Sequence, residues 1–139
     1  MNHVEETLVL VKPDGVARSL TGEILRRIEA KGYVIVDVRM VQADRDLLTR
    51  HYEEHVGKPF FEPLVNFMES GPVVAVRVVG DRVIEGFRSL AGTTDPTTAA
   101  PGTIRGDLGR DWGLPVQQNL VHGSDSPESA ARELALWFS

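Results

Sequence analysis

At 139 residues the chain has the length of one domain, residues 1–139, with a composition suited to burying a real core. A formal net charge of −5 argues against a mainly electrostatic binder of nucleic acid or membrane, so any phosphate site must be a local basic pocket. The absence of cysteine excludes disulfides, thiol nucleophiles and Cys-ligated zinc, and fits a reducing compartment.

Glu5 and Glu6 stand where a secretory leader would need a basic start, and no stretch approaches membrane-spanning length, so the expected location is cytoplasmic. His3 is expected to be mobile. Thr7 to Val11 is a short β-rich run suited to a buried strand, ended by a turn at Pro13-Asp14-Gly15 that leaves Lys12 at the strand's end. From Thr21 to Ala30, apolar Ile24, Leu25 and Ile28 recur at helical spacing, and Lys31-Gly32 supplies a stop. Tyr33 to Val41 alternates Val34, Val36 and Val38 with Ile35, Asp37 and Arg39, which predicts a strand with at least one well-buried face.

Asp44 is placed to cap a helix through His51 and Tyr52. Pro59 to Pro63 breaks the pattern before a second short helix at Leu64 to Met68, giving a helical hairpin. Val73 to Val79 is the clearest strand, and Asp81 opens a helix to about Leu90. Ala91 to Gly109, rich in Gly, Thr and Pro, lacks periodicity, and a structureless loop of that length is usually functional. Gln118 to Val121 forms a short fourth strand ending at His122. Ser126 then caps a last helix with Pro127 in its first position and Ala130, Ala131, Leu134 and Phe138 on its buried face.

This order, βα, β, helical hairpin, βα, β, α, is that of two split β-α-β halves: a ferredoxin-like α/β sandwich, a four-stranded antiparallel sheet flanked by helices, with an added hairpin and a long loop. That fold hosts many functions, so function has to be argued from the site.

The most informative residue is His122. Three of the next four residues carry side-chain oxygens able to fix one imidazole tautomer and leave the other nitrogen free to attack, while Gly123 lets a bulky anionic reactant come close. Neither GxxxxGK[ST] nor a strand-turn-helix GxGxxG is present, so a phosphate site needs a distributed device. Lys12, Arg88, Thr94 and Arg105 fall at element ends or in the long loop; singly each is an ordinary surface group, and their value lies in convergence. His51 and His55 lie four apart on the expected helix, but no third metal ligand is evident and no protein metal site is expected.

Six segments together resemble the nucleoside diphosphate kinase family, in that family's order and over almost the whole chain. They are Val11-Lys12-Pro13-Asp14-Gly15, His51-Tyr52 with Lys58-Pro59-Phe60-Phe61, Ser70-Gly71-Pro72-Val73, Thr94-Asp95-Pro96, Thr103-Ile104-Arg105-Gly106-Asp107, and Asn119 to Ser126.

The resemblance implies a reversible, two-step exchange in which His122 takes the terminal phosphoryl group of a nucleoside triphosphate and passes it to a second nucleoside diphosphate. By the same resemblance, Lys12 and Tyr52 lie near the transferred group, and Lys12 and Asn119 bond the 3′ hydroxyl. Arg88, Thr94 and Arg105 hold the other phosphates in the long loop region, Phe60 stacks on the base, and Leu64 closes its other side. Glu133 partners the nucleophile and Ser124 holds Glu133. Mg2+ is expected on the nucleotide phosphates with few protein ligands. A homo-oligomer is implied, a hexamer ahead of a tetramer. Two other classes would account for parts of the pattern: a phosphohistidine carrier passing the group to a protein, and a non-catalytic nucleotide-binding module.

Two departures stand out. The spacing from Arg105 to Asn119 is about four residues longer than typical, with the extra material around Leu108 to Pro115, where Trp112 reads as a contact residue. The chain also stops at Phe138-Ser139, without the C-terminal extension many members use to tie subunits together.

Overall fold

A computed structural model describes residues 4–139; the expectation for His3 lies outside them. Four strands, β1 (Val4–Val11), β2 (Val34–Val41), β3 (Val73–Asp81) and β4 (Val121–Gly123), form one antiparallel sheet in the order β2-β3-β1-β4. The helices are α1 (Pro13–Ala17), α2 (Thr21–Ala30), α3 (Arg45–His51), α4 (Phe61–Glu69), α5 (Val83–Ala91), α6 (Ile104–Leu108) and α7 (Pro127–Trp137). The ferredoxin-like arrangement expected from the sequence is present.

Successive side chains of a strand face opposite ways, and the central strands are apolar on both faces. Val9 and Val11 of β1 and Val74, Val76 and Val78 of β3 pack with Ile24, Ile28 and Phe87 of α2 and α5. Leu8, Leu10, Val73 and Ala75 pack on the other face with Leu48, Val65, Leu134 and Trp137 of α3, α4 and α7. Both layers pin β1, whose end carries Lys12, between β3 and β4.

β2 departs from expectation. It is an edge strand with no fully buried residue, leaving Val34 58%, Val36 51%, Val38 46% and Met40 67% exposed. Ile35 pairs with Val78 and Asp37 with Arg77, so Val36 is an extra, bulged residue. Alternation correctly marked a strand but could not say whether one chain covers its face.

Other boundaries shift for local reasons. Pro13-Asp14-Gly15 is the start of α1 rather than a plain turn, with Pro13 in the first turn, where its missing N–H costs nothing. Pro63 likewise sits in the first turn of α4, which therefore starts at Phe61 instead of Leu64. Asp81 ends β3, and Arg82, at φ 53°, is the residue before α5. The long loop contains α6, capped where the Thr103 hydroxyl accepts from Gly106 N at 2.9 Å. A side chain at Gly106 would meet the Ala100 carbonyl at 2.0 Å, so only glycine fits there. α7 buries Ala130, Glu133, Leu134 and Trp137, the true i, i+3, i+4, i+7 set, while Ala131 is exposed and Phe138 is only partly buried.

Candidate active site

The fourth strand begins at Val121, not Gln118, because the backbone cannot stay extended through Leu120. That residue has φ 74°, and Val121 N donates to the Asn119 carbonyl at 2.8 Å, closing a γ-turn. β4 follows at once, with His122 opposite Leu10 of β1.

His122 Nε2 lies 2.8 Å from Glu133 Oε1. A carboxylate only accepts, so this nitrogen carries the proton and Nδ1 keeps its lone pair. Ser124 Oγ donates to the same carboxylate oxygen at 2.7 Å and accepts from Leu8 N at 3.2 Å, which ties Glu133 to the central strand. Ser124 and Glu133 are both buried, so the contact sits where a charged hydrogen bond is strong.

These groups open on a cavity of about 850 Å³ whose walls include Lys12, Tyr52, Arg88, Thr94, Arg105, Asn119 and His122. Lys12 Nζ donates to Asn119 Oδ1 at 2.8 Å, and Asn119 Nδ2 donates to the Thr94 carbonyl at 3.0 Å, so three of the expected residues form one chain. Burial, and then the nearby Arg105, lower the Lys12 pKa to about 8 against the pull of Asp14. Burial and Arg88 likewise lower Arg105 to about 10. Burial raises the Tyr52 phenol, which stays protonated as a donor. Lys12, Arg88 and Arg105 thus form a local cluster of cations on a wall that also carries Glu54 and Asp125, and this cluster is electrostatically suited to polyphosphate.

Arg105 has a second role that the sequence did not disclose. It donates to the carbonyls of Asn119 at 3.0 Å, Gly92 at 2.9 Å and Val121 at 2.7 Å, so its fork first fixes the backbone around the γ-turn. The Arg88 side chain is exposed on the cavity wall, where its charge helps to lower the pKa of Asp125. Phe60 and Leu64 do not line the cavity. Phe60 is 49% exposed, its ring 5.1 Å from that of His55, a cavity-wall residue, while Leu64 packs against the core under α4. Gly123 lines the cavity, and its lack of a side chain also serves packing, since a side chain there would meet the Phe87 ring at 2.6 Å.

His51 and His55 do not share one helix. His55 lies on a 3-10 turn, Glu53–His55, whereas buried His51 stacks edge-on to His122 with ring centroids 4.7 Å apart. Donor atoms of His51, His122 and Glu133 lie within 4.8 Å of one another. Trp137 Nε1, however, donates to His51 Nδ1 at 3.1 Å, and burial holds His51 well below its usual pKa. A neutral imidazole whose Nδ1 accepts must carry its proton on Nε2, so it offers no lone pair to a cation. Trp137, Asp14 and the wall residues Glu54 and Arg132 are polar groups of the site that sequence reading did not place there. Trp137 was detectable from its i+4 spacing to Glu133; Asp14 looked like an ordinary turn residue.

A family model described as nucleoside diphosphate kinase matches residues 5–139. Similar curated proteins include the nucleoside diphosphate kinases of Streptomyces avermitilis, 59% identical, and Mycolicibacterium gilvum, 61% identical, each over 135 residues covering 96% of both chains. Among solved structures, a nucleoside diphosphate kinase from Halobacterium salinarum in complex with CDP superposes with a TM-score of 0.91 at 47% identity, covering 99% of this chain and 89% of that one. A transition state mimic of the Borrelia burgdorferi nucleoside-diphosphate kinase, with bound vanadate and ADP, has a TM-score of 0.91 at 34% identity, covering 99% and 88%.

Proposed function

The chain belongs to the nucleoside diphosphate kinase family, and from that premise we propose that His122 carries the family's reaction here. The activity is reversible transfer of the terminal phosphoryl group from a nucleoside triphosphate, mainly ATP, to a nucleoside diphosphate, which maintains nucleotide pools. The Nδ1 lone pair forms a bond to the γ-phosphorus as the bond from that phosphorus to the bridging oxygen breaks, and the diphosphate leaves with the bonding electrons. A β-phosphate oxygen of the second diphosphate then attacks the phosphohistidine and returns the imidazole to its neutral form. The observation that carries this reading is the 2.8 Å contact of His122 Nε2 with Glu133, itself held by Ser124.

Lys12, Tyr52, Arg88, Thr94, Arg105 and Asn119 line the surrounding cavity and supply donors where charge builds on the equatorial oxygens. Arg105 keeps its remaining N–H groups for phosphate after bonding three carbonyls. Phe60, exposed beside His55, is the aromatic face available to a base, with Leu64 one helical turn further on; stacking alone tolerates any base. Glu133 is already committed to His122 and Ser124, which leaves Glu54 and Asp125 as the exposed carboxylates on the wall among the described residues. Such a wall fits Mg2+ brought in on the phosphates, where Glu54 or Asp125 would offer it a carboxylate. When bound, the ion neutralises phosphate charge.

The assembly is a homo-oligomer, a hexamer ahead of a tetramer. The exposed apolar edge of β2, together with Trp112 and Leu114, supports association. Among the described residues no helix is long and apolar enough to cross a membrane. The chain has no cysteine, which suits a reducing cytoplasm.

The test is to label the protein with γ-labelled ATP and magnesium, isolate it, and add unlabelled GDP. Label that is stable in base, labile in acid, absent in His122→Ala and chased into GTP establishes the exchange. Label that ignores GDP points to a protein phosphocarrier. No label on folded protein leaves a binding module.

A further inference from the structure

We propose that Asp14 is a positioning residue for the phosphotransfer site, holding the strained Leu120 peptide and, through it, Asn119 and His122. The proposal rests on the reading of His122 as the nucleophile.

Leu120 is a non-glycine residue at φ 74°, the centre of the γ-turn closed by Val121 N and the Asn119 carbonyl. A γ-turn of this hand is rare and strained, and such a conformation persists only where its surroundings over-determine it. Here the first turn of α1 clasps the residue from both sides. Lys12 N donates to the Leu120 carbonyl at 2.8 Å, and Leu120 N donates to Asp14 Oδ2 at 3.1 Å. Arg105 holds the flanking carbonyls of Asn119 and Val121, and the Leu120 side chain is fully buried in the core. Of these contacts, only the bond to Leu120 N comes from a carboxylate.

That carboxylate is costly to place. Asp14 is 8% exposed, and its other oxygen, Oδ1, is buried without a hydrogen-bond partner. An acid in the first turn of a helix is ordinarily explained by favourable interaction with the helix N-terminus. A five-residue helix provides little of that, and an exposed acid would provide it without burial. The position makes sense when the next links are followed. Asn119, one residue before Leu120, bonds Lys12 Nζ and the Thr94 carbonyl, and His122, two residues after it, bonds Glu133. Letting Leu120 relax to negative φ would rotate Asn119 and His122 relative to one another. Reactivity in such a site is steep in position, about 100-fold for a displacement near 1 Å.

The experiment measures the single-turnover rate of phosphohistidine formation at saturating ATP, alongside the thermal midpoint, in full-length protein. Asp14→Ala should slow labelling about 100-fold. Asp14→Asn keeps an acceptor oxygen for Leu120 N and should restore most of the rate. Glycine adopts positive φ without a clasp, so Asp14→Ala with Leu120→Gly should label faster than Asp14→Ala alone, although deletion of a buried side chain lowers its midpoint. A residue that merely stabilised the fold would give the opposite, a double variant worse in both measures. Wild-type rate in Asp14→Ala, no recovery in Asp14→Asn, or no recovery with Leu120→Gly overturns the proposal. If Asp14→Ala fails to fold, a folded and active double variant supports the proposal, and an unfolded one overturns it. Absence of label on wild-type His122 would instead sink the nucleophile reading itself.

Discussion

Trp137 donates its indole proton to Nδ1 of His51 across a buried 3.1 Å contact, which fixes the tautomer of the imidazole lying against His122. Without that donor, the pair on Nδ1 would be released and the ring could present a lone pair on Nε2 beside His122 and Glu133, whose donor atoms lie within 4.8 Å of those of His51.

Trp137→Phe should therefore make the enzyme sensitive to zinc. Loss of partners that orient a metal-binding imidazole typically changes affinity by about 10–100-fold, so zinc inhibition of phosphotransfer should tighten by a comparable factor. Cobalt, used as a visible-spectrum reporter, should show an imidazole-ligated band in the variant only. Equal zinc inhibition in the two proteins would refute the tautomer argument. The variant also leaves a buried ring nitrogen of His51 unpaired, at a cost of about 1–3 kcal/mol in stability.

Ser124→Ala separates support of Glu133 from its chemistry. The hydroxyl donates to Glu133 and accepts from Leu8 N in a fully buried position, so its loss leaves Leu8 N without this acceptor and Glu133 Oε1 with His122 as its one remaining donor. Stability should fall by about 1–3 kcal/mol by denaturant titration. Glu133→Gln should keep the fold but lose the acceptor-only character that sets the His122 tautomer. Its kcat should drop by more than tenfold, toward but not beyond the roughly 10⁴-fold loss known when a catalytic histidine is left in the wrong tautomer. A Gln variant with wild-type kcat would remove Glu133 from the mechanism.

Much of this site was legible because its parts lie in local patterns. His122 is flagged by its oxygen-rich neighbours, Lys12 by the strand end, and Ser126 and Asp44 by capping chemistry that the structure reproduces at 3.1 Å and 2.8 Å. What escaped was set by long-range contacts. The bonds of Arg105 to three carbonyls, of Asp14 to Leu120, and of Trp137 to His51 join residues 13 to 106 positions apart. Leu120 carries no local sign of positive φ, because leucine disfavours it and only the clasp maintains it. β2 was misjudged for another reason: its valines read as core whether the covering surface belongs to the same chain or to a neighbour.

The pH profile should carry the signature of Lys12. Burial and Arg105 lower its pKa to about 8, and the protonated amine is the form that attracts phosphate. kcat/KM, which reports the free enzyme, should hold below that value and fall as pH rises through about 8. Lys12→Arg should remove this alkaline limb, at a lower overall rate, since guanidinium stays charged. The stability sign runs the other way. Between about 8 and the ordinary 10.5 the unfolded chain holds a proton that the folded one has released, so this group makes stability rise with pH in that window. A wild-type kcat/KM flat to pH 10 would contradict the assignment.

The exposed edge of β2 yields the last prediction. Val38 and Met40 are 46% and 67% exposed on a strand paired on one side only, an arrangement that soluble chains usually guard with charge or cover by association. In a homo-oligomer that covers this edge, Val38→Lys with Met40→Lys would bury two ammonium groups at the contact and should dissociate it, seen as a fall in native mass. Secondary structure by circular dichroism should be retained, since both side chains leave the monomer core untouched. Trp112→Ala tests the other exposed apolar feature. Its ring, 47% exposed and covered only in part by Arg110 with the guanidinium 4.5 Å from the ring centroid, should also loosen the assembly if the insertion is a contact. Unchanged native mass and thermal midpoint in Trp112→Ala would confine association to β2. Unchanged mass in the lysine pair would place the interface elsewhere and return the β2 valines to the status of an unguarded edge.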